Sequence, residues 1–179
     1  QSFPLRRTAQ AALHICRGQL TTGLQVLQKA AAMADSPDRN LYRQAALHVE
    51  RGRLTWALGR PGAALQDLRE ALELARRSGA RPLVVEILNH LGHGLQNVGL
   101  VEQSFAHHQQ ALDIAVQMDF ARGRAVSLAG LGQAEVKRGW VAAGLAHLQQ
   151  AVRQAHGLGP RSRGETSAAL AAGCLEVWS

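Results

Sequence analysis

Aromatic residues are scarce: they make up 4% of the 179 residues, whereas hydrophobic residues of all kinds make up 46%. A core therefore has to be built from Ala, Leu and Val, and runs of β-branched residues with period-two alternation are missing. Both facts disfavour a sheet protein and favour helices, since Ala, Leu, Gln, Glu and Arg are all good helix formers. Cysteine is limited to two residues, Cys16 and Cys174, at opposite ends and without metal-type spacing. They read as small buried hydrophobes in a reducing compartment, and neither a disulfide framework nor a zinc cage can be drawn from them.

No apolar run reaches the eighteen residues that a membrane helix needs, and no signal peptide is visible, so a cytoplasmic location is expected. Lysine is nearly absent, with only Lys29 and Lys137, and the net charge of +7 comes from arginine. The arginines (Arg6, Arg17, Arg39, Arg51, Arg69, Arg76, Arg122, Arg138, Arg153) are scattered and form no basic run. Nucleic acid is thus permitted as a partner but not favoured. Enzymatic signatures are also missing: there is no phosphate-binding loop ending in Lys-Ser or Lys-Thr, no HExxH and no nucleophile elbow. Gly157-Leu158-Gly159-Pro160 has no preceding strand and reads as a linker. Neither catalysis nor a cofactor is expected.

What the chain does contain is a repeat. Glycines fall at Gly18, Gly59, Gly99 and Gly139, spaced by 41, 40 and 40 residues. Seven residues before each stands Ala11, Gly52, Gly92 or Gly132. Five after stands Gly23, Ala64, Ser104 or Gly144, and six after stands Leu24, Leu65, Phe105 or Leu145. Alanines follow at Ala30, Ala71, Ala111 and Ala151, and again at Ala34, Ala75, Ala115 and Ala155. Small residues at these intervals let one helix lie close against another, large apolar residues fill the groove between them, and the glycine ends one helix and turns the chain. Each repeat is then two antiparallel helices that must stack to bury their apolar faces.

Start signals divide the repeats. Ser36-Pro37, Pro4 and Pro82 can open helices, Asp119 can cap one beginning near Phe120, and Ser162-Arg163-Gly164-Glu165 fits a capping box. Helices are expected at about 4–17, 21–34, 38–58, 61–77, 82–98, 101–117, 120–138, 141–156 and 163–178. The chain reads as one all-α domain: four hairpins (about 4–35, 38–78, 82–118 and 120–157) and a closing helix at about 163–178. It starts at Gln1 and stops inside a helical pattern, which suggests a piece of a longer protein.

Leu91-Gly92, Gly99, Ser104 and Ala111, repeated as Leu131-Gly132, Gly139, Gly144 and Ala151, resemble the tetratricopeptide repeat (TPR) family. The second repeat joins through Gly52, Gly59, Ala64 and Ala71, and the first matches from Gly18 onward. The period of 40 is similar to the longer-helix subgroup found in Pins/LGN-type scaffolds and in TPR modules of bacterial signalling and transcriptional regulators. The Leu-Gly-Asn of that subgroup is Leu91-Gly92-His93 and Leu131-Gly132-Gln133 here. The resemblance implies a right-handed α-solenoid that acts as a scaffold or regulatory module.

In such a stack the first helix of each hairpin lines the concave face. The stripes on those helices run Tyr42, Ala46, Val49, Arg53, Trp56 in the second repeat and Glu86, Asn89, His93, Gln96 with Asn97 in the third. In the fourth they run Arg122, Val126, Ala129, Gln133, Val136 with Lys137. The polar third stripe suits a groove that reads a peptide backbone, because amides donate and accept at once. Asn89 and Asn97 could clamp the main chain, Arg53 and Lys137 could meet carboxylates, and Trp56 could anchor an apolar side chain. The peptide or partner-binding set is therefore Arg53, Trp56, Glu86, Asn89, His93, Gln96, Asn97, Gln133 and Lys137. The ligand could be a segment of the parent chain. A structural spacer that dimerises through the helix ending at Trp178 is an alternative.

Eight histidines raise the question of a metal. His90 and His93 lie three apart, but the adjacent His107 and His108 diverge, so at most one could join them. His108 also stands where the other repeats have Leu27, Leu68 and Leu148. A buried, hydrogen-bonded histidine is expected there, not a ligand. His14, His48, His147 and His156 show no pairing pattern.

Overall fold

The computed structural model describes residues 21–23, 25, 26 and 41–157. Among the described residues six helices have defined bounds and no strand occurs: α1 Leu41–Ala57, α2 Pro61–Arg77, α3 Arg81–Asn97, α4 Val101–Gln117, α5 Ala121–Lys137 and α6 Val141–His156. Each lies within one residue of its expected bounds where those fall among the described residues; the expected start of α1 at about 38 does not. Most of the first hairpin, the closing helix at 163–178 and dimerisation through it, the caps at Ser36 and Ser162, and both cysteines fall outside the described residues. No described helix is long and apolar enough to cross a membrane.

The hairpin turns are built as the glycines require. Gly59, Gly99 and Gly139 take φ of 72°, 81° and 84°, a left-handed conformation that glycine adopts without steric cost. At each turn the residue after the glycine donates its N–H five residues back: Arg60 to Thr55, Leu100 to Leu95 and Trp140 to Glu135. The paired bond from the glycine N–H itself completes a Schellman motif.

The same motif ends α2 and α4, and here one expectation is corrected. Asp119 does not cap α5: the N-cap is Phe120, with no side-chain cap bond. Asp119 takes φ of 52° and fills the place that Gly79, at 70°, fills forty residues earlier. Phe120 N–H then bonds Ala115 C=O, as Ala80 bonds Ala75. Asp is among the few side chains that tolerate this region.

The chain divides into two compact units, residues 1–83 and 84–179. In the first, α1 packs on α2. Ala64, Ala71 and Ala75 are fully buried along α2, and a Cβ placed on Gly52 would lie 3.2 Å from the Ala64 carbonyl. In the second, α5 packs on α6 and α4 on α5, with Ala111, Ala115 and Ala151 fully buried. Gly132 and Gly144 form the closest approach of α5 and α6: a Cβ on either would lie 2.7 Å from the other's carbonyl oxygen. The small-residue positions therefore set the spacing of the helices. Of the large residues expected to fill the groove, Leu65 is buried and Leu145 is 43% exposed.

Candidate binding face

The polar stripe of α3 divides between interior and surface. Glu86 and His93 are half-buried and Asn97 is exposed, while Asn89 and Gln96 are each only 4% exposed. The helical interval puts these residues in a row, but the row is wide enough for its edges to meet the neighbouring helices. Asn89 Nδ2 donates to Ser127 Oγ on α5 at 3.0 Å, and its Oδ1 lies 3.0 Å from His108 Nδ1 on α4. Ser104 Oγ donates to Gln96 Oε1 at 3.5 Å. Asn89 is thus an interior tie between three helices, and its expected role as a main-chain clamp is corrected. Gln133 is also interior, at 7% exposure. Asn97 and Lys137 are exposed at the ends of α3 and α5, two residues before their turn glycines.

His108 is the buried, hydrogen-bonded histidine that its leucine position implied. It is fully buried, and its ring lies where a Cβ on Gly92 or on Gly130 would collide with it, at 2.5 and 2.2 Å. The His93 ring meets it edge-on at a centroid distance of 4.8 Å. Burial, and then the proximity of His93 and His107, hold the His108 pKa well below the ordinary histidine value. Because Asn89 Oδ1 accepts, His108 carries its proton on Nδ1, and Nε2 is a bare lone pair with no hydrogen-bond partner.

In the unit of residues 1–83, Arg53 is exposed and bonds Glu50 at 3.1 Å, and Trp56 is half-buried. Beside them lies a cluster that showed no pairing pattern in the sequence. Arg51 Nη2 contacts Asp67 Oδ1, lies 3.0 Å from His48 Nδ1 and reaches Glu70 Oε2 at 3.5 Å. The ligand-type atoms of His48, Asp67 and Glu70 lie within 4.8 Å of one another, with the Arg51 guanidinium supplying the positive charge between them. Burial alone would raise the Asp67 pKa, but His48 and Arg51 outweigh it and lower it. An open cleft of about 480 Å³ adjoins, lined by Gln44, His48, Arg69, Glu70, Glu73 and Leu74. The available signal was Arg51 itself, a charge at the position of Leu91 and Leu131.

A second pairing missed in the sequence joins Glu135 to His147 Nδ1 at 2.6 Å. On the surface, Arg138 stacks 3.9 Å over the ring of Trp140 and 4.6 Å over Phe105, while Nη2 bonds Glu102 at 2.9 Å.

No protein-family model matches the chain, and no curated protein matches its sequence. Solved structures do match its fold. The crystal structure of BtubC (BKLC) from P. vanneervenii aligns with a TM-score of 0.77 at 16% identity, covering 96% of this chain and 74% of that one. A kinesin light chain from Podosopora anserina with nearly identical TPR-like repeats aligns at 0.72 and 21% identity, covering 97% and 87%. The Rap conjugation gene regulator of the plasmid pLS20, solved in complex with the Phr* peptide, aligns at 0.70 and 13% identity. That match covers 82% of this chain but only 41% of the regulator. In fold the chain is an all-α helical-repeat solenoid of the TPR type.

Proposed function

We propose that the chain is a non-enzymatic interaction module whose first helices hold a peptide or an extended segment of a partner protein, as a scaffold or regulatory part of a larger protein. The observation that supports this most is the surface left by α3 and α5. Glu86, His93 and Asn97 line one helix, and Lys137 stands at the end of the next. Asn97 offers both donor and acceptor to a main chain, and Lys137 a cation to a carboxylate. Arg53 and Trp56 occupy the corresponding first helix in residues 41–83. A structural neighbour that holds a peptide, the Rap regulator with Phr*, adds support at the level of fold. Asn89 and Gln96 take a different part: their hydrogen bonds fix the helices from which the outer residues project, and Gln133 is buried among them.

Selection of binders from a random peptide display library, followed by calorimetry of the selected peptides, tests the reading. His93→Ala, Asn97→Ala and Lys137→Ala should each weaken the selected peptides by about ten-fold, the loss of one well-made polar contact. Undiminished affinity in all three variants would remove this face from consideration. Affinity that collapses between low and physiological salt for nucleic acid, with no peptide recovered, would favour the arginine surface instead.

A further inference from the structure

Three positions that are apolar in the adjoining repeats turn polar together in α3, α4 and α5. Asn89 stands where the neighbouring repeats have Val49 and Ala129, His108 where they have Leu68 and Leu148, and Ser127 where they have Leu47 and Ile87. A fourth change accompanies them. Gly130 takes the position of Glu50 and His90, and only glycine leaves room there for the imidazole. An interior designed merely to be filled would keep the leucine. Here the backbone has been cleared on both sides of a titratable ring, and every polar atom of the set but one is hydrogen-bonded.

We propose that Asn89, His108 and Ser127 form an acid-sensitive lock: neutral His108 ties α4 between α3 and α5, and protonation at its Nε2 releases α4. The geometry supplies the mechanism. A proton on Nε2 creates a second N–H that finds no acceptor in the packed interior, on a ring with no access to water. A charged imidazole buried without an acceptor is strongly disfavoured, so His108 stays neutral while α4 is packed and takes its proton only where α4 has opened. The ring cannot shift sideways to escape, because Gly92 and Gly130 already touch it. The titratable groups that reach it are His93 on α3 and His107 on its own helix, and both act against a proton on His108. From α5 it meets Gly130, which does not titrate. Hydration of the cation therefore requires α4 to separate from its neighbours.

The test needs no ligand and stands apart from the binding reading. The folded state keeps His108 neutral while the unfolded chain protonates it, so below about pH 6.5 the unfolded state binds more protons and stability falls as the pH falls. Urea unfolding is to be measured between about pH 7.5 and 5.5, where histidines titrate and carboxylates do not. The wild type should unfold more readily by up to about ten-fold in equilibrium constant per pH unit than His108→Gln, which retains an amide donor toward Asn89 but cannot titrate. Should that variant fail to fold, the wild type decides alone. Imidazole ¹⁵N spectra should show His108 as the neutral Nδ1–H form at pH 6.5. Amide exchange in α4, corrected for the intrinsic pH effect, should rise on acidification before that of α6. A wild-type slope equal to that of the variant overturns the proposal. So does His108 titrating as an ordinary histidine with α4 protection unchanged.

Discussion

Replacing Gly132 by alanine would put a methyl carbon 2.7 Å from the Gly144 carbonyl oxygen and 2.8 Å from Leu148 Cγ. Ordinary contact begins at about 3.4 Å, so α5 and α6 would have to part by about 0.7 Å, a gap large enough to forfeit a quarter to a half of the dispersion energy of the contacts around it. The obstructing atom is backbone on a packed helix, which cannot swing aside. Overpacking of this kind costs about 1–3 kcal/mol, against about 1 kcal/mol gained by replacing glycine with alanine inside a helix. The net loss should be up to about 2 kcal/mol, read as a fall of up to about 8 °C in melting temperature or as a lower urea midpoint. Two further glycines calibrate the argument. At Gly52 the equivalent Cβ would sit 3.2 Å from the Ala64 carbonyl, so Gly52→Ala should be close to neutral. At Gly62, in the first turn of α2, nothing lies within 4 Å, and Gly62→Ala should stabilise by up to about 1 kcal/mol. If Gly132→Ala proved as stable as the wild type, or the three variants did not fall in the order 132, 52, 62, the claim that Gly132 and Gly144 set the α5–α6 spacing would be wrong.

Asp119 and Asp67 offer independent checks. Asp119→Val places a β-branched side chain at φ of 52° and should cost about 1–2 kcal/mol by thermal unfolding, whereas Asp119→Gly should be nearly neutral; equal effects would mean that the left-handed turn does not form. Asp67→Asn removes the main carboxylate partner of Arg51 and should cost about 1–2 kcal/mol, partly offset by Glu70. Because the folded-state pKa of Asp67 is lowered, its contribution is present above the unfolded carboxylate pKa of about 3.9 and lost as pH falls through the folded value. The wild type should therefore lose more stability on acidification than Asp67→Asn, and parallel acid curves would refute the pairing.

The helices were legible because their ends are marked by residues with one conformational use. Gly59, Gly99 and Gly139 can be left-handed at no cost, and the forty-residue period confirms each from the others. Asp119 was misread because aspartate suits two neighbouring sites, the N-cap of one helix and the left-handed end of another. Its alignment with Gly79 in the same period was the information that distinguishes them. The polar stripe divided between interior and surface for a different reason. Periodicity tells which residues share a face of α3, but which part of that face a second helix covers depends on the crossing of α4 and α5. Hence Asn89 and Gln96 turned inward, while His93 and Asn97, one position further round, remained accessible.

A stacked repeat makes some of that missing information recoverable. Apolar positions recur because each hairpin buries the same side chains, and a lone polar residue at one of them would strand a donor or acceptor at a cost of about 1–3 kcal/mol. A polar residue that persists there implies a second departure within hydrogen-bond reach. Arg51, at a leucine position, has Asp67 sixteen residues on. His108, at another, has Asn89 nineteen residues before it, which in turn bonds Ser127, and Gly130 to admit its ring. Arg51 with Asp67, and His108 with Asn89, each lie one helix apart in sequence, the separation that an antiparallel hairpin brings together, whereas the Asn89–Ser127 bond spans two. Deviations from the repeat, taken in such pairs, therefore act as contact information that the shared positions cannot supply. They mark two such places, the Arg51–Asp67 pair on α1 and α2 and the His108 group on α3, α4 and α5.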